Sequence, residues 1–419
     1  MTTLIKNIIR FGSGFTVMVL ILSCASIPGV KEETSGTFIK IPFVRVLLEE
    51  NKSEANVYAN GAFSIECLTR GKQSVYFSTQ PVTVKSNGAF LAVVNQNGDM
   101  IQSHLDEVNI IPRGNKNHIY LESKRYRGIL QILPNSDNIQ LINIVYMEDY
   151  LKGVVPPEIG ERTPDEIEAV KAQAIAARTY AMAHLKQYGN QPYDMKSSII
   201  DQIYDGLDVE NNLVNKAVNL TAGQVLFYHG KYVKAYYHST CGGMTDDIAS
   251  VWDRKEVPYL KPVNDGGACS WSKYYKWREV FSEKQLRGRL EQYLSSDRGR
   301  DLRIGKIRDI KIAQRTPGGR VAKLIISTEN DVYTFKKDRI RWVIGRTSNP
   351  DLILPSDRFD LDIKRDSKGN VTEVVFNGSG YGHGVGMCQC GAIGLSRKGW
   401  TYDKILTLYY NGVDIKKLY

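Results

Sequence analysis

Ile139-Gln-Leu-Ile-Asn-Ile-Val145 is followed by Tyr146-Met-Glu-Asp-Tyr-Leu-Lys-Gly-Val-Val155 and then by Thr163-Pro-Asp-Glu166, which leads into Ile167-Glu-Ala-Val-Lys-Ala-Gln-Ala-Ile-Ala-Ala-Arg178-Thr-Tyr-Ala-Met-Ala-His-Leu185. Across this stretch the chain changes character. The first run is apolar and β-branched, as a buried strand is. Met147-Glu-Asp-Tyr-Leu-Lys-Gly153 reads as a short helix closed by its glycine. Thr163 and Glu166 make a capping box, with proline at the first helical position and two acids in the first turn. The helix they open is predicted to run to about Gly189-Asn190. Its many alanines let neighbouring backbone approach closely.

Upstream, residues 38–145 form short strand-like runs, among them Phe43-Val-Arg-Val-Leu-Leu48 and Ala89-Phe-Leu-Ala-Val-Val94. Turns such as Asn87-Gly88 and Asn97-Gly98-Asp99 separate them. Downstream, Gln224–Tyr228 and Tyr232–Thr240 read as strands around a His229-Gly230 turn. Residues 282–295 read as an amphipathic helix, and 306–345 as three strands with a Pro317-Gly-Gly319 turn. The predicted fold is α+β: a β-rich N-terminal module over 38–135 and a mixed module over 136–419.

The chain has 419 residues, 42% hydrophobic and 24% charged, which excludes global disorder. It has no apolar run of 18 residues, so no ordinary membrane-spanning helix is expected. The balance of 55 basic and 45 acidic residues leaves +10, spread along the chain. With no basic helix and no stacked-aromatic RNA motif, a nucleic-acid partner is not expected.

Residues 1–24 carry Lys6 and Arg10, no acid, and an apolar run over Phe15–Leu22. This is the pattern of a secretory signal. Ile21-Leu-Ser-Cys24 resembles a bacterial lipobox and makes Cys24 the candidate lipidation site. A plain signal peptide or an uncleaved anchor is the alternative. Residues 25–37 read as a polar tether. Without Cys24 five cysteines remain, an odd number, so the chain is not a disulfide scaffold.

Glu158 lies among Val154, Val155, Pro156, Pro157 and Ile159. Apolar surroundings raise a carboxyl pKa, which a general acid at neutral pH requires. Read alone, it is more readily a surface glutamate in a proline-rich loop. Arg178, in mid-helix beside alanines, must reach solvent or meet an anion. In His238-Ser-Thr-Cys241-Gly-Gly243 a histidine and a cysteine three apart can share zinc, with Cys269 as a third ligand. A Cys241–Cys269 disulfide is the favoured alternative in an exported chain, and free thiols a third. Gly378, Gly380, Gly382, Gly384 and Gly386 alternate, which along a strand puts them on one face and Tyr381 and His383 on the other. Cys388 and Cys390 read as small buried hydrophobes before they read as ligands.

Three blocks stand in order: Tyr146–Glu158 with Glu168–Tyr180, Tyr237-His-Ser-Thr-Cys-Gly-Gly243 with Val251-Trp252, and Gly380-Tyr-Gly-His-Gly-Val-Gly-Met-Cys-Gln-Cys-Gly-Ala392 with Tyr409-Tyr-Asn-Gly412. Together they resemble the SpoIID/LytB family, the stage II sporulation protein D and amidase-enhancer group, from about residue 120 to the end. The resemblance implies work on peptidoglycan, and the N-terminal signal with Cys24 implies a lipid-anchored place in the cell envelope, at the periplasmic or extracellular face of a bacterial membrane. The resemblance also implies a lytic transglycosylase cutting between N-acetylmuramic acid and N-acetylglucosamine in denuded strands. Glu158 would be its general acid and base. Arg178, His238, Ser239, Tyr381 and His383 are expected to line the cleft and hold the sugar. No cofactor is required, and zinc on His238, Cys241 and Cys269 is the only metal the resemblance suggests. Rival readings are a non-catalytic activator of a cell-wall amidase and a metal-dependent wall hydrolase.

Overall fold

A computed structural model describes residues 41–114, 116–198, 200–349 and 351–419. The signal segment, Cys24 and the 25–37 tether lie outside the described residues.

Thirteen strands build two sheets. In the first, Met195–Lys196, Phe43–Lys52, Asn138–Tyr146, Ile129–Asn135, Glu107–Pro112, Phe63–Thr69 and Lys72–Ser78 lie side by side in that order. In the second, the order is Lys124–Tyr126, Ile119–Leu121, Glu54–Ala59, Val82–Asn87, Phe90–Asn95 and Met100–Leu105. Alternation decides which face each strand buries: in Glu54–Ala59 the buried residues are Ala55, Val57 and Ala59. Val46, Val57, Ile65, Val84, Leu91, Val93, Ile110, Ile132 and Leu141, from both sheets, enter one core. The boundary expected at 135/136 falls inside a hairpin, because Ile129–Asn135 pairs with Asn138–Tyr146 down to Asn135 opposite Asn138. The chain leaves the sheet at Met147, and Met195–Lys196 returns to pair in parallel with Val46 and Leu47.

The first helix does not stop at Gly153. It runs over Met147–Ile159 and carries Pro156 and Pro157 in its last turn. Gly153 is a packing residue: a Cβ there would lie 2.6 Å from the Tyr204 ring and 2.9 Å from Gly206 O. The cap is Gly160, at φ 75°. The Thr163/Glu166 capping box is present, over a single 3-10 turn at Pro164–Glu166. The helix beyond covers Ile167–His184 and ends one turn short of Gly189. It is buried nearly all round, so its alanines touch Met147–Ile159, Asn212–Leu220, Gln389–Arg397, Tyr402–Tyr409 and strand Gln224–Tyr228.

A further module lies between Trp277 and Gly378 and has its own core. The helix Glu283–Arg298 opens on a Ser282/Gln285 capping box, closes on Gly299 at φ 64°, and buries Leu286, Leu290 and Leu294 at helical spacing. Against it stand the sheets of Ile307–Arg315, Val321–Thr328 and Val332–Lys336, and of Trp277–Ser282, Val371–Gly378 and Phe359–Arg365. No described helix is long and apolar enough to cross a membrane.

Candidate active site

The proline-bearing last turn of Met147–Ile159 delivers Glu158 to a cleft of about 690 Å³. Glu158 Oε1 accepts a hydrogen bond from the Ile203 N–H at 3.2 Å. Its backbone oxygen accepts one from the Gln389 amide at 2.9 Å. Burial pushes the carboxyl pKa up to about 7, against hydrogen bonds from Ile203, Gln389 and Tyr237 that favour the carboxylate. Gln202 orients Tyr237: its amide nitrogen donates to the Tyr237 hydroxyl at 2.9 Å, while its oxygen accepts from Tyr150 at 3.0 Å.

The opposite wall is woven from two distant segments. The strand expected over Tyr232–Thr240 is reduced to Lys231–Tyr232 and Tyr237–His238, and the latter pairs in parallel with Met387–Cys388. The glycine-rich run is not a strand. Gly380, Gly382, Gly384 and Gly386 all have positive φ, from 72° to 104°. The alternation marks a chain of turns laid against Tyr236–Cys241, so tightly that a Cβ at Gly386 would lie 2.0 Å from Tyr236 O.

This weave places His238, Ser239, Tyr381 and His383 in the same cleft as Glu158. His238 Nδ1 lies 3.2 Å from Val385 O, and its buried Nε2 has no protein partner. Burial holds its pKa well below the ordinary imidazole value, so at neutral pH it is an uncharged hydrogen-bonding group. His383 Nδ1 accepts from the Val385 N–H at 3.1 Å, and its ring packs 4.8 Å from Trp252. Burial lowers its pKa to about 4. Tyr381 packs at a tilt against Tyr274, ring centroids 4.4 Å apart, with Arg346 over its ring, leaving an aromatic rim.

Arg178 is not in the cleft. It is fully buried behind it, in a two-pronged pair with Glu148 at 2.8 and 2.7 Å and a third bond to Gln224 O at 3.1 Å. Its helix is covered on every side, so its only route to an anion is the neighbouring helix. The cation that does line the cleft is Arg254, an exposed side chain that donates to the Tyr236 hydroxyl.

Three carboxylates line the cleft among the described residues. Asp201 has both oxygens engaged, by Tyr188 and the Lys196 N–H on one and Gln187 on the other. Asp253 is exposed and paired with Lys337. Glu158 is half-buried, and desolvation raises its pKa.

Behind the wall, Cys241, Cys269 and Cys388 converge with Asp265. The Cys241 and Cys269 sulfurs are 3.4 Å apart and all five described cysteines are free, so the expected disulfide is not formed. Nor does His238 join Cys241 and Cys269 as a ligand set, since its ring is turned to Val385 O and the cleft.

The profile of the Stage II sporulation protein family (SpoIID) matches residues 135–228, which hold Glu158 and the buried helix. A Domain of unknown function (DUF8618) matches residues 268–386. An uncharacterized protein of Brachyspira hyodysenteriae is 31% identical over 377 residues, 89% of this chain and 92% of that protein. Stage II sporulation protein D of Bacillus amyloliquefaciens is 32% identical over 289 residues, 65% of this chain and 74% of that protein. The chain belongs to the SpoIID/LytB family. The amidase enhancer of Bacillus subtilis is 28% identical over 76% of this chain, which spans 48% of that protein.

Family membership gives the chain a cell-wall-related function in the cell envelope. In this SpoIID/LytB chain, the cleft residues that received no site role from the sequence include Tyr237, Arg254, Gln389 and Asp201. Tyr237 and Gln389 adjoin motif residues His238 and Cys388 and were open to recognition. Arg254 and Asp201 stand in stretches with no periodicity or motif of their own.

Proposed function

We propose that this SpoIID/LytB protein is a peptidoglycan lytic transglycosylase acting on denuded glycan strands. The observation that carries the reading is the half-buried Glu158 carboxyl, its pKa pushed up to about 7, in a cleft rimmed by aromatics and neutral imidazoles. Ordinary glycoside hydrolysis uses two carboxylates. An intramolecular displacement needs one.

Glu158 gives its proton to the glycosidic oxygen as the bond from muramyl C1 to the glucosaminyl O4 breaks. The resulting carboxylate takes the proton of the muramyl C6 hydroxyl as O6 bonds to C1. The product is a 1,6-anhydro ring, the leaving sugar keeps the first proton, and Glu158 ends protonated with no water consumed. His238 Nε2, which has no protein partner, and the Ser239 hydroxyl, 3.3 Å from Thr240 Oγ1, are the groups on this wall for sugar hydroxyl or acetamido contacts. Arg254 takes the place expected of Arg178, as the charge that meets the lactyl carboxylate of muramic acid.

Mass spectrometry of denuded glycan digested by the purified protein tests this. Anhydro-muramyl ends are expected. Reducing ends mean a hydrolase, and intact glycan means a binding protein of the amidase-activator kind. In the same assay Arg254→Ala is expected to raise KM about tenfold with kcat little changed, the scale of one lost hydrogen bond to a charge. An unchanged KM removes Arg254 from substrate binding.

We also propose that Cys24 carries the lipid tether that holds the protein at the outer face of a bacterial membrane. Intact-mass analysis of the membrane-extracted protein is expected to show a chain that begins at a diacylglyceryl-modified Cys24, and an unprocessed or unmodified N-terminus overturns the tether.

A further inference from the structure

Cys241, Asp265, Cys269 and Cys388 take no part in the reaction above, and all four are buried. They come from three places: the segment leaving strand Tyr237–His238, the turn at Asp265–Cys269, and the residue before helix Gln389–Arg397. Their ligand atoms all lie within 4.8 Å of one another. Cys241 Sγ is 3.4 Å from Cys269 Sγ and 3.2 Å from Asp265 Oδ2. A tetrahedral zinc with bonds of about 2.3 Å to sulfur separates its ligand atoms by about 3.8 Å. The four side chains therefore stand at the spacing a four-coordinate cation imposes.

The surrounding backbone is arranged for thiolates. The Cys241 N–H and the Gly391 N–H both point at Cys388 Sγ, each at 3.2 Å, and the Gly243 N–H points at Cys241 Sγ at 3.3 Å. Such donors favour the anionic sulfur. Cys388 is also the N-cap of helix Gln389–Arg397, where the helix dipole acts in the same sense. Asp265 Oδ1 accepts from the Gly267 N–H at 3.0 Å, which leaves Oδ2 turned to the sulfurs. Beside that oxygen, across Gly391, is the Tyr409 hydroxyl, 1% exposed and without a hydrogen-bond partner. Buried thiolates and a carboxylate need a cation among them. The Arg320 guanidinium, which donates to Cys241 O at 3.5 Å, is engaged by Asp357 at 2.7 Å.

We propose that Cys241, Asp265, Cys269 and Cys388 hold one soft divalent cation of the zinc type in a closed, structural site. Soft thiolates with one carboxylate suit zinc over the hard cations. Loading forms three metal–sulfur bonds and one metal–oxygen bond and releases the thiol protons to solvent, with no change of oxidation state. His238, which sequence spacing suggested as a ligand, stays in the cleft. The cation acts as a clip. It ties Cys388, next to Gln389 on Glu158, to Cys241, two residues beyond Ser239, across 147 positions of sequence. The site rests on the cysteine geometry alone and stands whatever the glycan assay shows.

The test uses the purified chain, reduced and supplied with zinc or cobalt alone. About one equivalent of zinc per chain is expected, and cobalt in its place should give a thiolate-to-metal charge-transfer band. Cys388→Ser and Asp265→Asn should each lose the bound metal. Glu158→Gln and Cys67→Ser, which leave the cluster intact, should keep it. A chelator should lower the melting temperature of the wild-type chain. The proposal is overturned if the reduced wild-type chain takes up neither metal, if Cys241 and Cys269 are joined in a non-reduced peptide map of the protein as purified, or if Cys388→Ser keeps the full band. Should Cys388→Ser fail to fold, the wild-type cobalt spectrum and the near-isosteric Asp265→Asn decide.

Discussion

Glu158→Gln is expected to lower glycan cleavage at least ~10²-fold, the scale of a lost general acid, while making the protein more stable at pH 8. Both effects have one source. Burial lifts the Glu158 pKa from an ordinary 4.5 to about 7, so the folded chain binds this proton more tightly than the unfolded chain does. The stability linked to that proton is fully present below about pH 4.5 and is lost as pH rises through about 7. At pH 8 the buried charge costs up to about 3 kcal/mol, since each pKa unit is about 1.4 kcal/mol. Glutamine has nearly the same shape, keeps an oxygen for the Ile203 N–H, and never ionises. Its melting temperature should therefore exceed the wild-type value at pH 8 and approach it at pH 4. Cleavage within a few-fold of wild type removes Glu158 from the chemistry. An equal offset at both pH values means that the carboxyl is not the titrating group. The wild-type kcat/KM should also fall above about pH 7, where the free enzyme loses the acid form.

Arg178→Ala is expected to destabilise the fold by about 3–5 kcal/mol, because it leaves a carboxylate and a carbonyl oxygen buried without their donor. Glu148 is the centre of the loss. It binds Arg178 through both oxygens and also accepts from the Gly223 N–H at 3.3 Å and the Tyr419 hydroxyl at 2.6 Å. Urea titration gives the stability change. The second half of the expectation is kinetic: at a temperature where the variant stays folded, KM for glycan should match wild type, since Arg178 does not reach the cleft. A stable variant with a raised KM restores the substrate role that its helix position first suggested.

The difference between these two residues shows what a linear reading could reach. Thr163 and Glu166 were legible because a capping box acts within one turn, and both hydrogen bonds are there. Glu158 stood out by its apolar neighbours and by the motif around it. Arg178 sits in an equally clear pattern, yet its partner Glu148 lies on another helix, and only tertiary packing shows that Arg178's own helix has no free face. Gly153 resembles a C-cap until Tyr204 and Gly206 come to rest against it. The alternating glycines suggest a strand because period two is what sequence displays, whereas positive φ is not. The sulfur cluster was half visible: Cys241 and Cys269 are neighbours through one loop, but Cys388 reaches them only because Tyr237–His238 pairs in parallel with Met387–Cys388. Long-range pairing of that kind leaves no local signature.

The module between Trp277 and Gly378 begins and ends on paired residues, Trp277 opposite Gly378. This bears on the cost of closing the cleft wall. Joining Tyr237 to Met387 in an unstructured chain closes a loop of about 150 residues, whereas a folded module with its ends together shortens the mobile span to about 50 and reduces the closure entropy by about 1 kcal/mol. A module that is already folded thus makes the Tyr237–Met387 pairing, and with it the cleft wall, easier to close.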